Sequence, residues 1–206
     1  MPSRAAGGPW GLLLTPGASA SRDQSALVAI DAAVTGLGGL VRRMDFPYRL
    51  AGRRAPDKAE VLVAAVEKEA ASFTTEVRMP LNRLFAGGRS MGGRICSMAV
   101  AQGLPSAGLV LVSYPLHPPS RPERARTEHF GDLNLPCLFV SGTRDAFASP
   151  AELEAAVALV PGPVTLEWVD RGDHGLRRRD DEVAGIVARW LADKVGPAAG
   201  SRSKAR

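Results

Sequence analysis

Short uninterrupted apolar runs alternate along this chain with stretches whose apolar residues recur every three or four positions. The first kind predicts buried strands, the second helices with one face against a core. Trp10–Thr15 is a run of the first kind and ends in the turn Pro16-Gly17-Ala18. Ser25–Val34 follows as a helix with Ala26, Leu27, Ile30 and Val34 on one face. Gly39–Phe46 reads as a second strand broken by Pro47, and Arg49–Pro56 as a basic loop. Pro56-Asp57 opens a helix to Ala71, with Val61, Leu62, Ala65, Val66 and Ala70 as its stripe. Asn82–Gly87 is a strand and Ser90–Gln102 the helix that leaves it. Gly108–Ser113 is apolar throughout, as in a strand covered on both faces. After the proline- and charge-rich excursion Tyr114–Asn134 come the strand Leu135–Ser141, the helix Pro150–Leu159, the strand Val164–Val169 and the helix Asp180–Val195. Strand and helix in regular alternation predict an α/β fold: a doubly wound, mostly parallel sheet of about six strands with helices on both faces. The flanks, residues 1–9 and 196–206, are expected to be a flexible start and a disordered basic tail around one domain over residues 10–195.

Composition narrows the function classes. With 206 residues, 45% hydrophobic and 23% charged, the chain has the make-up of a soluble globular domain with a sizeable core. The net charge of +5 owes three units to Arg202, Lys204 and Arg206 in the tail. Arg177-Arg178-Arg179 is answered at once by Asp180-Asp181-Glu182, so the body is nearly balanced. Low aromatic content argues further against a base-stacking surface, and no nucleic-acid partner is expected. Two cysteines, Cys96 and Cys137, are too few for a disulfide framework and read as small buried apolar residues. Trp10–Leu14 is too short for a signal-peptide core, and no run approaches a membrane span. A cytoplasmic location without membrane partners is the expectation.

The candidate chemistry sits at Gly88-Arg89-Ser90-Met91-Gly92, between the third strand and its helix. This G-x-S-x-G arrangement fits a nucleophile elbow, a strained turn that lifts the serine hydroxyl above the sheet. Glycines two before and two after the serine suit a turn in which the backbone comes close to itself. A hydroxyl is a weak nucleophile and needs a base, and an imidazole base needs a carboxylate to fix its tautomer. In doubly wound sheets chemistry gathers beyond the C-terminal strand ends. Ser90 follows the third strand there, Asp145 the fifth and His174 the sixth. Asp170 and Asp173 are rival acids, although Asp173 adjoins His174 and neighbouring side chains rarely face each other. Donors for an oxyanion are expected from the N–H groups of Met91 and Ala18, each worth about 3–4 kcal/mol. Gly17, Arg89 and His117 complete the candidate substrate-binding set. Arg89 and Arg94 flank the elbow and suit an anionic substrate, against the alternative of solvated helix arginines. His117 lies in Tyr114-Pro115-Leu116-His117-Pro118-Pro119, where packing of a proline-rich loop is its other reading, and His129 reads as a surface residue.

With these residues in place the chain resembles the α/β-hydrolase superfamily over nearly its whole length. More narrowly, it resembles the small hydrolases related to testis-expressed protein 30, close to the dienelactone-hydrolase group. The stretches that carry the likeness are Gly87–Arg94, Tyr114–Pro119, Gly142-Thr143-Arg144-Asp145 and Gly172-Asp173-His174. The resemblance implies a nucleophile at Ser90, an acid at Asp145 and a base at His174. The chain departs from the pattern in carrying Pro16-Gly17 where many members have His-Gly, and in lacking the first two antiparallel strands. Its excursion is too short for a cap domain. The expectation is a serine hydrolase acting on an ester or related acyl bond of a small molecule, with no metal or organic cofactor. The alternative is a non-catalytic scaffold of the same fold serving as an interaction module.

Overall fold

The protein is described by a computed structural model covering residues 8–196. Six strands form one parallel sheet in the order β2-β1-β3-β4-β5-β6. They are β1 (Gly11–Thr15), β2 (Leu40–Arg43), β3 (Leu84–Arg89), β4 (Gly108–Val112), β5 (Cys137–Gly142) and β6 (Val164–Val169). The helices are α1 (Ser25–Gly36), α2 (Pro47–Leu50), α3 (Ala59–Glu76), α4 (Met91–Ala101), α5 (Pro150–Val157) and α6 (Asp180–Val195). Successive strand residues point to opposite faces, and both faces are covered. Leu12, Leu14, Phe85, Val110, Val112, Leu138 and Val140 join α1 and α6 in one core layer. Leu13, Leu84, Ala86, Leu109, Leu111, Cys137 and Phe139 join α3, α4 and α5 in the other. Each fully buried leucine of β1 contributes about 1.5–3 kcal/mol by leaving water. Both cysteines are free and buried, as expected of small core residues.

Some boundaries differ from the sequence expectation. The second strand stops at Arg43 rather than Phe46, and Pro47, instead of breaking into a loop, opens the short α2. Proline's fixed φ suits a first helical position, and α2 turns Tyr48 into the core with no exposed surface. Helix α3 starts at Ala59, not Pro56, and runs on to Glu76 because Phe73 and Thr74 are also buried. Its buried stripe passes through Val63, whereas Val61 is 47% exposed. The excursion before β5 packs on the sheet: Tyr114, Phe130 and Phe139 meet edge to face, and the Tyr114 hydroxyl donates to the Arg126 carbonyl. The expected flexible ends fall on residues of which only Gly8, Pro9 and Gly196 are described. Arg83 donates to the carbonyls of Gly8 and Pro9 at 2.8 and 2.9 Å. No helix among the described residues is long and apolar enough to cross a membrane.

Candidate active site

β1 and β3 are neighbours whose connections leave toward opposite faces of the sheet, and a crevice opens between their C-terminal ends. Ser90 stands at that point with φ 52° and ψ −123°, a conformation costly for any residue with a side chain. The surrounding sheet holds it there. Its N–H donates to the Val112 carbonyl at 2.8 Å, and α4 begins at the next residue. The flanking glycines are required for a reason other than the one read from the sequence. A Cβ on Gly88 would lie 2.2 Å from the Thr15 carbonyl oxygen, and one on Gly92 2.5 Å from it. The nearest atoms to both belong to the end of β1, which packs directly against the elbow; the turn closes on itself at Gly93, where a Cβ would lie 2.8 Å from the Gly88 carbonyl oxygen.

The acid and base loops are joined with similar closeness. A Cβ on Gly142 would meet the Gly172 carbonyl at 2.1 Å, and the Arg144 N–H donates to that same carbonyl at 2.9 Å. Arg171 N–H donates to the Thr143 hydroxyl at 2.8 Å. These contacts bring Asp145 and His174 together. The His174 Nδ1 lies 2.8 Å from Asp145 Oδ2 and 3.0 Å from Oδ1, and its Nε2 lies 2.8 Å from Ser90 Oγ. Asp145 is buried, while Asp170 and Asp173 are exposed, so the rival acids lie outside the constellation. Phe147 was missed in the sequence. Its N–H donates to Asp145 Oδ1 at 2.8 Å, and its ring stacks on the imidazole with centroids 4.0 Å apart. No local signal announces such a residue, because its role depends on where the sixth strand brings His174.

A cleft of about 580 Å³ opens over Ser90. Gly17, Ala18, Arg89, Met91 and Phe147 line it with Ser90 and His174. Among the described residues, neither the Met91 nor the Ala18 N–H donates to a protein acceptor, whereas Gly17 N–H reaches Gln24 Oε1 at 3.4 Å. The Ala18 carbonyl accepts from the buried Tyr48 hydroxyl at 2.7 Å, which fixes the loop after β1. Tyr48 also escaped the sequence reading, since nothing marks it until α2 turns it inward. Arg89 is at the cleft, but its guanidinium donates to the His174 carbonyl and lies in the field of Asp145, Asp173 and Asp180. Burial nevertheless pushes its pKa down.

His117 corrects an expectation: it does not line this cleft. Its ring faces the Pro118 carbonyl at 2.8 Å and Glu152 at 3.3 Å, and its N–H donates to the Phe147 carbonyl at 3.1 Å. The packing reading of that proline-rich loop is the one the geometry fits. His129 is likewise no surface residue. It is half-buried against Phe130, 2.7 Å from the Ser97 hydroxyl, and burial followed by the nearby Arg94 pushes its pKa down to about 4. No group of three or more His, Cys, Asp or Glu side chains among the described residues is arranged to hold a metal.

Residues 10–188 match the family described as Alpha/beta hydrolase domain. Solved structures show the same fold. An alpha-beta serine hydrolase homologue from Coxiella burnetii superposes with a TM-score of 0.73 at 17% identity, covering 90% of this chain and 88% of that one. Dienelactone hydrolase from Anabaena variabilis gives 0.71 at 17% identity, with 90% and 87% covered. Est1E from Butyrivibrio proteoclasticus, with ferulic acid bound, gives 0.72 at 13% identity, with 91% and 90% covered.

Proposed function

The chain belongs to the alpha/beta hydrolase family, and we propose that it is a serine hydrolase that cleaves a carboxylic ester or related acyl bond of a small molecule through an acyl-enzyme. The observation that carries this is the continuous contact from Ser90 Oγ through His174 to Asp145, both links at 2.8 Å. For Nε2 to accept the serine proton, Nδ1 must hold the other ring proton and donate it to Asp145. As Ser90 Oγ attacks the carbonyl carbon, its proton passes to His174 Nε2. Asp145 then faces an imidazolium, whose charge it balances without taking the proton. The oxyanion forms between the Met91 and Ala18 amides, where fixed dipoles stabilise it and the start of α4 adds a favourable field. His174 returns the proton to the leaving alcohol. Water, deprotonated by the same imidazole, attacks the acyl-enzyme and releases the acid and Ser90.

Support for the reading comes from the family, from the strain held at Ser90, and from esterase and dienelactone hydrolase structures among the similar folds. A fluorophosphonate probe tests it directly, because only an activated serine reacts. Labelling of the wild-type protein, absent in Ser90→Ala, is the expected result, together with loss of p-nitrophenyl acetate turnover in a variant that remains folded by circular dichroism. A wild-type protein that neither labels nor turns over would be a scaffold of this fold instead.

A further inference from the structure

Two arginines at the cleft differ in how they are occupied. Arg89 is bonded to His174 and surrounded by acids. Arg94 lies one turn along α4 from Ser90, where residues four apart share a face, and it lines the same cleft. It is half-buried; its Nε is sealed from solvent and has no acceptor among the described residues. Nor does its guanidinium form an ion pair among them. With Nε sealed, what Arg94 offers the cleft is the rest of its guanidinium charge, which no carboxylate among the described residues answers.

Arg126 approaches the same space from the excursion. Its N–H donates to the Leu116 carbonyl at 2.8 Å, its carbonyl accepts from Tyr114, and its Nη1 donates to the Pro115 carbonyl at 3.2 Å. It is thus held at the cleft by neutral partners while a like charge stands beside it, and burial and then Arg94 lower its pKa. No Asp or Glu lines the cleft. Glu128, the carboxylate with most influence on Arg126, is exposed and forms no ion pair with it. His129, whose Nε2 donates to a Ser97 hydroxyl already committed to the Arg94 carbonyl, adds no counter-charge, because an imidazole is neutral or cationic. Two cations that converge without an acid form a place for an anion.

Resting on the hydrolase reading, we propose that Arg94, assisted by Arg126, binds a carboxylate on the acyl part of the substrate, so that the preferred substrates are monoesters of dicarboxylic acids. Monoethyl glutarate and ethyl pentanoate share an acyl length and differ in a terminal carboxylate against a methyl. Wild-type kcat/KM is expected to favour the first by about 10-fold or more. Arg94→Gln should bring the ratio to about one, and Arg94→Lys should keep part of the preference. A wild-type ratio of one or less, or a ratio that Arg94→Gln leaves intact, overturns the proposal. Fluorophosphonate labelling of the same samples separates the two claims: labelling without a preference removes the anion site and leaves the hydrolase. If neither label nor turnover is seen, calorimetric titration of glutarate into Ser90→Ala decides. Binding that disappears in the Ser90→Ala, Arg94→Gln double variant supports the site, and no binding to Ser90→Ala overturns it.

Discussion

Two histidine–carboxylate pairs stand near the rim, and they are built inside out with respect to each other. In His174–Asp145 the carboxylate is sealed, at 0% side-chain exposure, and the imidazole reaches outward at 20%. In His117–Glu152 the imidazole is sealed at 7% and the carboxylate is outward at 39%. Phe147 touches both: its amide bonds to Asp145, its ring stacks on His174, and its carbonyl accepts from the His117 amide. A pair of the first kind turns an imidazole, held from behind, toward a hydroxyl and a cleft. A pair of the second kind closes a loop against a helix start, where Glu152 also completes a capping box with Ser149. Residue types alone do not separate the two; which partner faces the cleft does.

Substitutions that keep shape but remove chemistry sharpen the contrast. His174→Asn should lower kcat for an activated ester by about 10³–10⁴-fold or more, and Asp145→Asn by about 10³–10⁴-fold by misdirecting the tautomer. Steady-state kinetics with matched melting curves check both. His117→Asn should leave kcat within about 10-fold and appear mainly as a loss of about 1–2 kcal/mol in urea unfolding. A collapse of kcat in His117→Asn without loss of stability would erase the distinction.

The smallest effect expected is in the pH dependence of stability. Ser149, through its hydroxyl and its amide, and then His117 hold the Glu152 carboxyl down at about 2. A lowered folded value stabilises above the unfolded one, near 4.3, and the contribution fades as pH falls toward 2. For His117, burial pushes the imidazole down, but the Pro118 carbonyl and Glu152 outweigh it and the net shift is upward. That contribution is complete below about 6.5 and fades as pH rises through the higher folded value. The pair therefore contributes most between about pH 4.5 and 6.5. Glu152→Gln should flatten the unfolding free energy at both ends of that window, by under about 1 kcal/mol given its exposure.

The sheet was legible because its central strands are buried on two faces and leave apolar runs, as at Leu12-Leu13-Leu14 and Leu109–Val112, while the edge strands β2 and β6 are only partly buried. The positions of Ser90, Asp145 and His174 were legible for a related reason: each follows a strand, and parallel strands send all their C-terminal ends to one edge. Tyr48 was not legible, since its bond to Ala18 spans thirty residues and depends on a proline that starts a helical turn instead of ending a strand. The role of His117 was ambiguous because a proline-rich loop beside a strand end fits a site wall and a packed strut equally. The reason for Gly88 and Gly92 could not be read locally either, because the atoms they avoid belong to Thr15, a different strand.

Only backbone separates residue 142 from residue 172, so the segment bearing the carboxylate and the segment bearing the imidazole form a single slab. The long Arg89 side chain, from the turn holding the hydroxyl, reaches across to this slab through its bond to the His174 carbonyl. The segment bearing the imidazole is thus braced from two sides, by the acid-bearing loop behind it and by the arm reaching over from the elbow.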